Sequence, residues 1–588
     1  MKMDGLFSGR RFPLAIFAIW LICSAAMLVL SYGLIAILDF RDADDALRLV
    51  QIRDWMAGQS WFDVTQYRIN PPEGGPMHWS RLIDLPIAAL LWFTSSFLNQ
   101  IDSERAVLAV YPLLVMGLLF GIFACAVRRL AGAALAVLAV VLLGLTMPVL
   151  IQLMPMRIDH HGWQIVMAAW AFYASLLPSP RKSGILTGLA VAFWLIISSE
   201  ALPYAALFGA LYALKYLRHP DQWDRLAAYL WTVTLGAAAL LLVTRGLSVS
   251  LRFYCDTMSP TFLIPMGTAA LLILGLKALL PDHHPTNRVA IIAVPGAGAL
   301  IALSLTGREC MAGPFETLDP LVYRFWYLKV SEGLPIWDQQ AATIFMTLVA
   351  PILGAVGYAL AIRAQKDAAK RARWIESLFV AAGAFTLSLL VMRAMSIAHL
   401  FMLPGNAWLF LTGMSRARTL YRTSTRIIAS VATVLLIPAL PTALLANAFS
   451  RETATAHGSE KAQCTTPSGL RYLAALPPAT LFAPLDIGPY LLVHTHHRVI
   501  ATAHHRNHHA MATVITAFMS AEPEARETVM GTGADYLVYC PQKSEIGQYV
   551  KHAPTGLAAR LEAGQVPTWL QPVPMRQDQA IRVYRIVN

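Results

Sequence analysis

The sequence predicts a mainly α-helical protein that crosses a membrane about thirteen times and ends in a small α/β domain. Three observations predict it. Of 588 residues, 57% are hydrophobic and only 14% charged, and the mean hydropathy of +0.54 is far above that of a soluble chain of this length. Apolar runs of roughly the 20 residues needed to span a bilayer recur from the N-terminus to about residue 447. From about residue 450 the texture changes to short apolar runs, at 490–493, 499–503 and 536–539, set among Pro, Gly and charged residues.

The first run begins behind a basic segment, 1–11, and reaches about Leu38. No small-residue cleavage site follows it, so it is read as a retained helix rather than a removed signal peptide. Twelve further segments follow, near 105–127, 131–153, 163–178, 184–199, 201–217, 225–244, 259–280, 288–306, 341–362, 374–392, 395–414 and 425–447. Lys and Arg fall in alternate loops, as the bias of cytoplasmic loops requires: Arg10 and Arg11, Arg128 and Arg129, Arg181 and Lys182, Lys215 and Arg218, Arg288, 363–373 and 416–426. The loops 39–104, 154–163 and 307–340 and the tail then share the outer side. Arg245 and Arg252 in the 245–258 loop are the exception. The alternation also requires the short apolar stretch 85–98, which opens with Asp84 and Pro86, to lie along the membrane surface rather than cross it.

The expected domains are therefore a transmembrane body, 1–449, and an outer α/β domain, 450–588. The expected location is a bacterial inner membrane, with the tail on the periplasmic side. The net charge of +12 is accounted for by the basic loops, and no basic stripe with interleaved aromatics points to nucleic acid. Of six cysteines, Cys464 and Cys540 lie in the tail. An oxidising compartment would permit them to pair, and the sequence leaves this open.

Carboxylates gather on the outer side. Asp39, Asp42, Asp44 and Asp45 stand at the outer end of the first helix, followed by Arg48, Arg53 and Asp54. A single Asp there is most simply a helix cap. Four within seven residues repel one another, and the usual remedies are a bound cation or a raised pKa. A second cluster, Arg157-Ile158-Asp159-His160-His161-Gly162-Trp163-Gln164, fills a very short loop. Its oxygen and imidazole ligands together suit Mg²⁺ or Mn²⁺. A third acid, Glu332 in Val330-Ser331-Glu332-Gly333-Leu334-Pro335, would be unremarkable alone.

Asp44-Asp45-Ala46, with Arg53-Asp54 nine positions after Asp44 and Ala57-Gly58 behind, resembles the first external loop of the oligosaccharyltransferase catalytic subunit and its bacterial and archaeal single-subunit relatives. Asp159-His160-His161 resembles the acidic motif of that family's next external loop, and Ser331-Glu332 its late-loop motif. The resemblance implies a GT-C fold and a glycosyltransferase that takes a glycan from a polyprenyl-linked donor. It implies Asp44, Asp159 and Glu332 as catalytic residues, and Asp44, Asp159, His160 and His161 as ligands of Mn²⁺ or Mg²⁺. Arg393, matched to an Arg of the family's eleventh-helix region, is expected to hold the donor phosphate together with Arg53. Leu485-Asp486-Ile487-Gly488-Pro489-Tyr490 looks like the place of the family's WWDYG acceptor motif with both tryptophans missing. Asp486 and Asp45 are accordingly expected at the acceptor, which is a protein, a lipid or a cell-wall glycan. Seven histidines between 494 and 509 are open to two readings, a zinc site or a polar loop facing phosphate. Two rival functions remain at this stage. One is a monosaccharide transferase using polyprenyl phosphate; the other is a transporter or flippase, to which Glu200 after an apolar helix would be the pointer.

Overall fold

A computed structural model of the chain describes residues 7, 9–311, 313, 315, 318–437, 440, 464–541, 544–575 and 580–587. The expected domain boundary at 449/450 and the end of the expected 425–447 helix lie outside the described residues.

Helix α1 (Arg11–Ile37) leads into two shorter helices, α2 (Ala43–Met56) and α3 (Asp84–Thr94). The long α4 (Gln100–Ala131) follows, then α5 (Ala133–Leu143), α6 (His161–Ser175), α7 (Pro180–Ile197), α8 (Leu202–Arg218) and α9 (Trp223–Ser250). The rest of the bundle is α10 (Pro260–Leu279), α11 (Pro285–Thr306), α12 (Ala341–Ala364), α13 (Ala368–Leu390), α14 (Met395–Arg418) and α15 (Thr423–Val434). Among the described residues nine of these are long and apolar enough to cross a membrane, and α5 with the 147–153 helix, bent by 70°, makes a tenth. The protein is a polytopic membrane protein. The expected count of thirteen differs because α6 and α8 have only 15 and 17 residues and α15 runs toward undescribed residues. The stretch after Asp84 forms an 11-residue helix, too short to span.

α14 is the central helix, with 72% of its apolar window buried, whereas α10 and α11, at 17% and 11%, stand on the rim. Gly357 of α12 and Gly405 of α14 let those two backbones touch, since a Cβ at either would collide with the other's main chain. Arg393 lies two residues before the start of α14.

The tail is a five-stranded sheet of order β2-β1-β3-β5-β4. Its strands are β1 (Thr480–Phe482), β2 (Arg498–Val499), β3 (Tyr536–Tyr539), β4 (Leu570–Pro572) and β5 (Arg582–Ile586). β2, β1 and β3 are parallel, and β5 and β4 antiparallel. α16 (Gly488–His494) connects β1 to β2, and α17 (His508–Met519) follows β2. The apolar run 490–493 is therefore helical. Gly488-Pro489 places Pro at the first turn, where its missing N–H costs nothing.

The first external loop is joined to this sheet. Asn70 N donates to Val499 O at 2.9 Å, and Val499 N donates to Arg68 O at 2.8 Å. The Arg68 guanidinium donates to the carbonyls of Leu492, Thr495 and His497 at 2.5, 2.9 and 3.3 Å. Tail and loop residues share one apolar core.

Candidate active site

The site begins with the cap of α2. Asp42 Oδ1 accepts from Asp44 N at 3.0 Å, and the acids in this first turn suit the positive end of the helix. The helix is then clamped from behind: buried Arg48 pairs with Asp84 at 2.8 Å, Gln51 donates to the same carboxylate at 2.6 Å, and Trp79 lies 4.6 Å from the Arg48 guanidinium.

Asp45 turns inward and is fully buried. Its Oδ1 accepts from Ile158 N at 2.7 Å and from Asp159 N at 2.9 Å, which fastens the short second loop to α2. Arg157 then lies among three carboxylates, 2.9 Å from Asp42, 3.1 Å from Asp45 and 2.6 Å from Asp159. Asp159 Oδ1 accepts from His161 N at 2.9 Å. Burial opposes ionisation of Asp159, but Arg157, then His161 and His160, hold its carboxyl well below the usual range. Burial and His161 push His160 down to about 3, so its imidazole is neutral.

From the far side come Glu200 and Glu332. Arg393 donates to Glu200 at 2.6 Å through Nη1 and to Glu332 at 2.8 Å through Nη2. Burial pushes Glu200 up, but Arg393 and the two histidines hold it down to about 2. Gln164 donates to Glu200 at 3.0 Å and accepts from Trp194 at 3.0 Å. Burial, followed by the charges of Asp42, Asp159 and Glu332, pushes the Asp44 carboxyl up to about 7. The structure thus brings Asp44, Asp159, His160, His161, Glu332 and Arg393 into one electrostatic neighbourhood. Against Asp42, Asp44, Asp45 and Asp159, Arg157 supplies one positive charge. His160 Nδ1 is buried with no hydrogen-bond partner among the described residues, as a waiting ligand atom would be. Oxygen donors, a neutral imidazole and surplus negative charge fit a divalent cation.

Beside this group lies a cavity of about 110 Å³, lined by His161, Gln164, Glu200, Tyr204, Arg393 and the apolar side chains of Ile165, Leu387 and Ile397. Arg393 Nε is buried and without a partner among the described residues.

Two expected residues have other roles than the sequence assigns. Arg53 does not stand ready for a phosphate: Nε and Nη2 each lie 2.7 Å from Glu104, and Nη1 donates to Val493 O at 2.6 Å. It joins the loop to the tail. Asp45, fully buried and bonded on both oxygens, orders the second loop and has no surface to offer an acceptor. Asp486 lies in the 485–487 turn, where its N donates to Glu545 at 2.8 Å. Its charge, like those of Asp42 and Asp39, acts on Tyr490 of α16, so it belongs to the rim near α2. Arg157 and Glu200 carry more of the site than their sequence context shows; Glu200, an acid ending an apolar run, was the detectable signal.

No protein-family model and no curated protein matches this sequence. Solved structures do. The oligosaccharyltransferase AglB of Archaeoglobus fulgidus, in complex with an inhibitory peptide and a dolichol-phosphate, superposes with a TM-score of 0.62 at 13% identity, over 95% of this chain and 72% of that one. The Archaeoglobus fulgidus enzyme tethered to an acceptor peptide containing the NVT sequon gives 0.60 at 13% identity, over 99% and 75%. Its complex with Zn and sulfate gives 0.57 at 14% identity, over 97% and 73%. The chain has the fold of these oligosaccharyltransferases, the GT-C fold.

Proposed function

We propose that the chain is a membrane glycosyltransferase that moves a glycan from a polyprenyl-linked phosphate donor to an acceptor on the outer face of a bacterial inner membrane. The observation that carries this is the meeting of Asp44, Asp159 and Glu332, from three loops distant in sequence, beside an apolar cavity walled by Arg393. Solved relatives in fold bind dolichol-phosphate and acceptor peptide, which supports a lipid donor. The acids lie in loops on one face, unlike the midplane groups of a transporter.

Glu200 and Glu332 hold the Arg393 fork at the cavity wall, where its remaining donors bind the donor phosphate. The apolar walls take the first part of the polyprenyl chain and exclude water. Asp44 orients the acceptor nucleophile and takes its proton. The acceptor atom attacks the anomeric carbon, the bond from that carbon to the phosphate oxygen breaks, and the electron pair leaves with the phosphate. Attack opposite the leaving group inverts the sugar carbon. Asp44 and Asp159 would hold Mn²⁺ or Mg²⁺ with His160 or His161, and the cation would supply positive charge to the departing phosphate. Asp486 lies on the rim by which an acceptor protein, lipid or cell-wall glycan approaches.

The test is gene deletion with mass spectrometry of the lipid-linked glycans, followed by complementation. The donor is expected to accumulate and one glycoconjugate to vanish. Asp44→Asn is expected to reach the membrane in normal amount and restore less than about 1% of transfer. Near-normal transfer by that variant, or an unchanged lipid-linked pool, ends the assignment. A pyrophosphate-linked oligosaccharide in the pool identifies oligosaccharyl transfer, and a monophosphate-linked sugar the monosaccharide reaction.

A further inference from the structure

We infer that the protein carries a second metal site, made of His78, His504 and His505, that takes a zinc-class divalent ion and binds the tail to the first external loop. It is chemically distinct from the carboxylate site. One ligand nitrogen from each of these three side chains lies within 4.8 Å of the others. A tetrahedral zinc with bonds of 2.0–2.1 Å needs ligand nitrogens roughly 3.3 Å apart, so small side-chain rotations complete the set. His78 Nδ1 and His504 Nε2 already stand 2.9 Å apart.

The surroundings are those of a built site. His504 is buried, and its Nδ1 has no hydrogen-bond partner among the described residues. His505 Nε2 lies 2.7 Å from Asp256 Oδ2, the carboxylate–imidazole contact that orients metal-binding histidines. Asp256 is itself fixed by Arg506 at 2.7 and 2.9 Å. The His78 carbonyl accepts from Arg245, which sets the backbone that carries the first ligand. Trp79 meets the His504 ring edge-on at 5.7 Å and Phe315 meets His505 at 5.0 Å, so aromatic walls limit access of water.

Three imidazoles with no carboxylate select zinc, copper or nickel over Mg²⁺ and Mn²⁺. The acid-rich site around Asp44 has the opposite preference. The ion would join His78, from the loop between α2 and α3, to the segment between β2 and α17, beside the strand pairing of Asn70 with Val499.

The test uses the full chain, purified in detergent, stripped with a chelator and titrated with Co²⁺ alone. Wild type and Asp159→Asn are both expected to show the visible bands of one nitrogen-rich cobalt site, counted apart from any ion at the carboxylate site, and Zn²⁺ to displace that ion. His504→Ala and, independently from the other element, His78→Ala are expected to weaken that binding at least about 100-fold, while both stripped variants match the melting temperature of stripped wild type. Unchanged cobalt bands in both histidine variants, or their loss in Asp159→Asn, would overturn the inference. Should either histidine variant fail to fold, the other decides. Retention of transfer in Asp44→Asn would refute the proposed reaction without touching this site.

Discussion

At the scale of single residues, Arg157 does the most. Among the described residues it is the one cation in contact with Asp42, Asp45 and Asp159, and its side chain is only 8% exposed. Removing one partner of a buried ionic group leaves uncompensated charge, at a cost of about 3–5 kcal/mol. Arg157→Met is expected to lower stability by about that amount, read as a fall in melting temperature in detergent. It is also expected to abolish transfer, because Asp45 and Asp159 lose the charge that keeps them together. Arg157→Lys should recover part of the stability and little of the activity, since an ammonium cannot span three carboxylates as a planar fork does. Equal melting temperatures for wild type and Arg157→Met would show that the cluster is held by something else.

At the scale of elements, the docking of α16 on α2 decides how the tail is seated. Arg53 and Arg68 reach its last carbonyls, and His494 at its end lies 6.2 Å from the Phe40 ring. Burial, reinforced by Arg53, pushes His494 down to about 4. Its unfolded value is about 6.5, so between those values the unfolded chain binds the extra proton. The stability that His494 contributes is whole above pH 6.5 and is lost as pH falls toward 4, by at most about 1.4 kcal/mol per pH unit. Melting between pH 7 and 5 is expected to drop less steeply for His494→Asn than for wild type. Equal slopes would remove His494 from the account. The elements also show why sequence reasoning stopped where it did. The cluster at Asp44 and the Asp159-His160-His161 loop were visible because acids are rare in a chain this apolar. Arg53 reads as a phosphate ligand because spacing cannot reveal Glu104, 51 positions away, and four apolar residues at 490–493 fit a helix or a strand period alike.

At the scale of the whole molecule, the alternation of basic loops assigns a side to each loop, and Arg245 and Arg252 in the 245–258 loop are its exception. Arg245 is buried and donates to His78 O, so it is not a free charge of the kind the alternation counts, whereas Arg252 is exposed. The cysteines carry a sharper test of the same sidedness. Cys464 pairs with Cys540 in the tail, and Cys255, beside Asp256, pairs with Cys310 near the late loop. The second pair was invisible in the sequence because both residues sit at helix ends 55 positions apart. The two free cysteines, Cys23 and Cys125, lie within α1 and α4. Disulfides persist in oxidising compartments. If the loop face is periplasmic, a membrane-permeant thiol tag applied to denatured, unreduced protein should add two tags per chain, and six after reduction. Six tags without reduction would place this face in a reducing compartment and reverse the assigned orientation. With it would go a donor site that opens outward, since Arg393 and the Asp256 loop share that face.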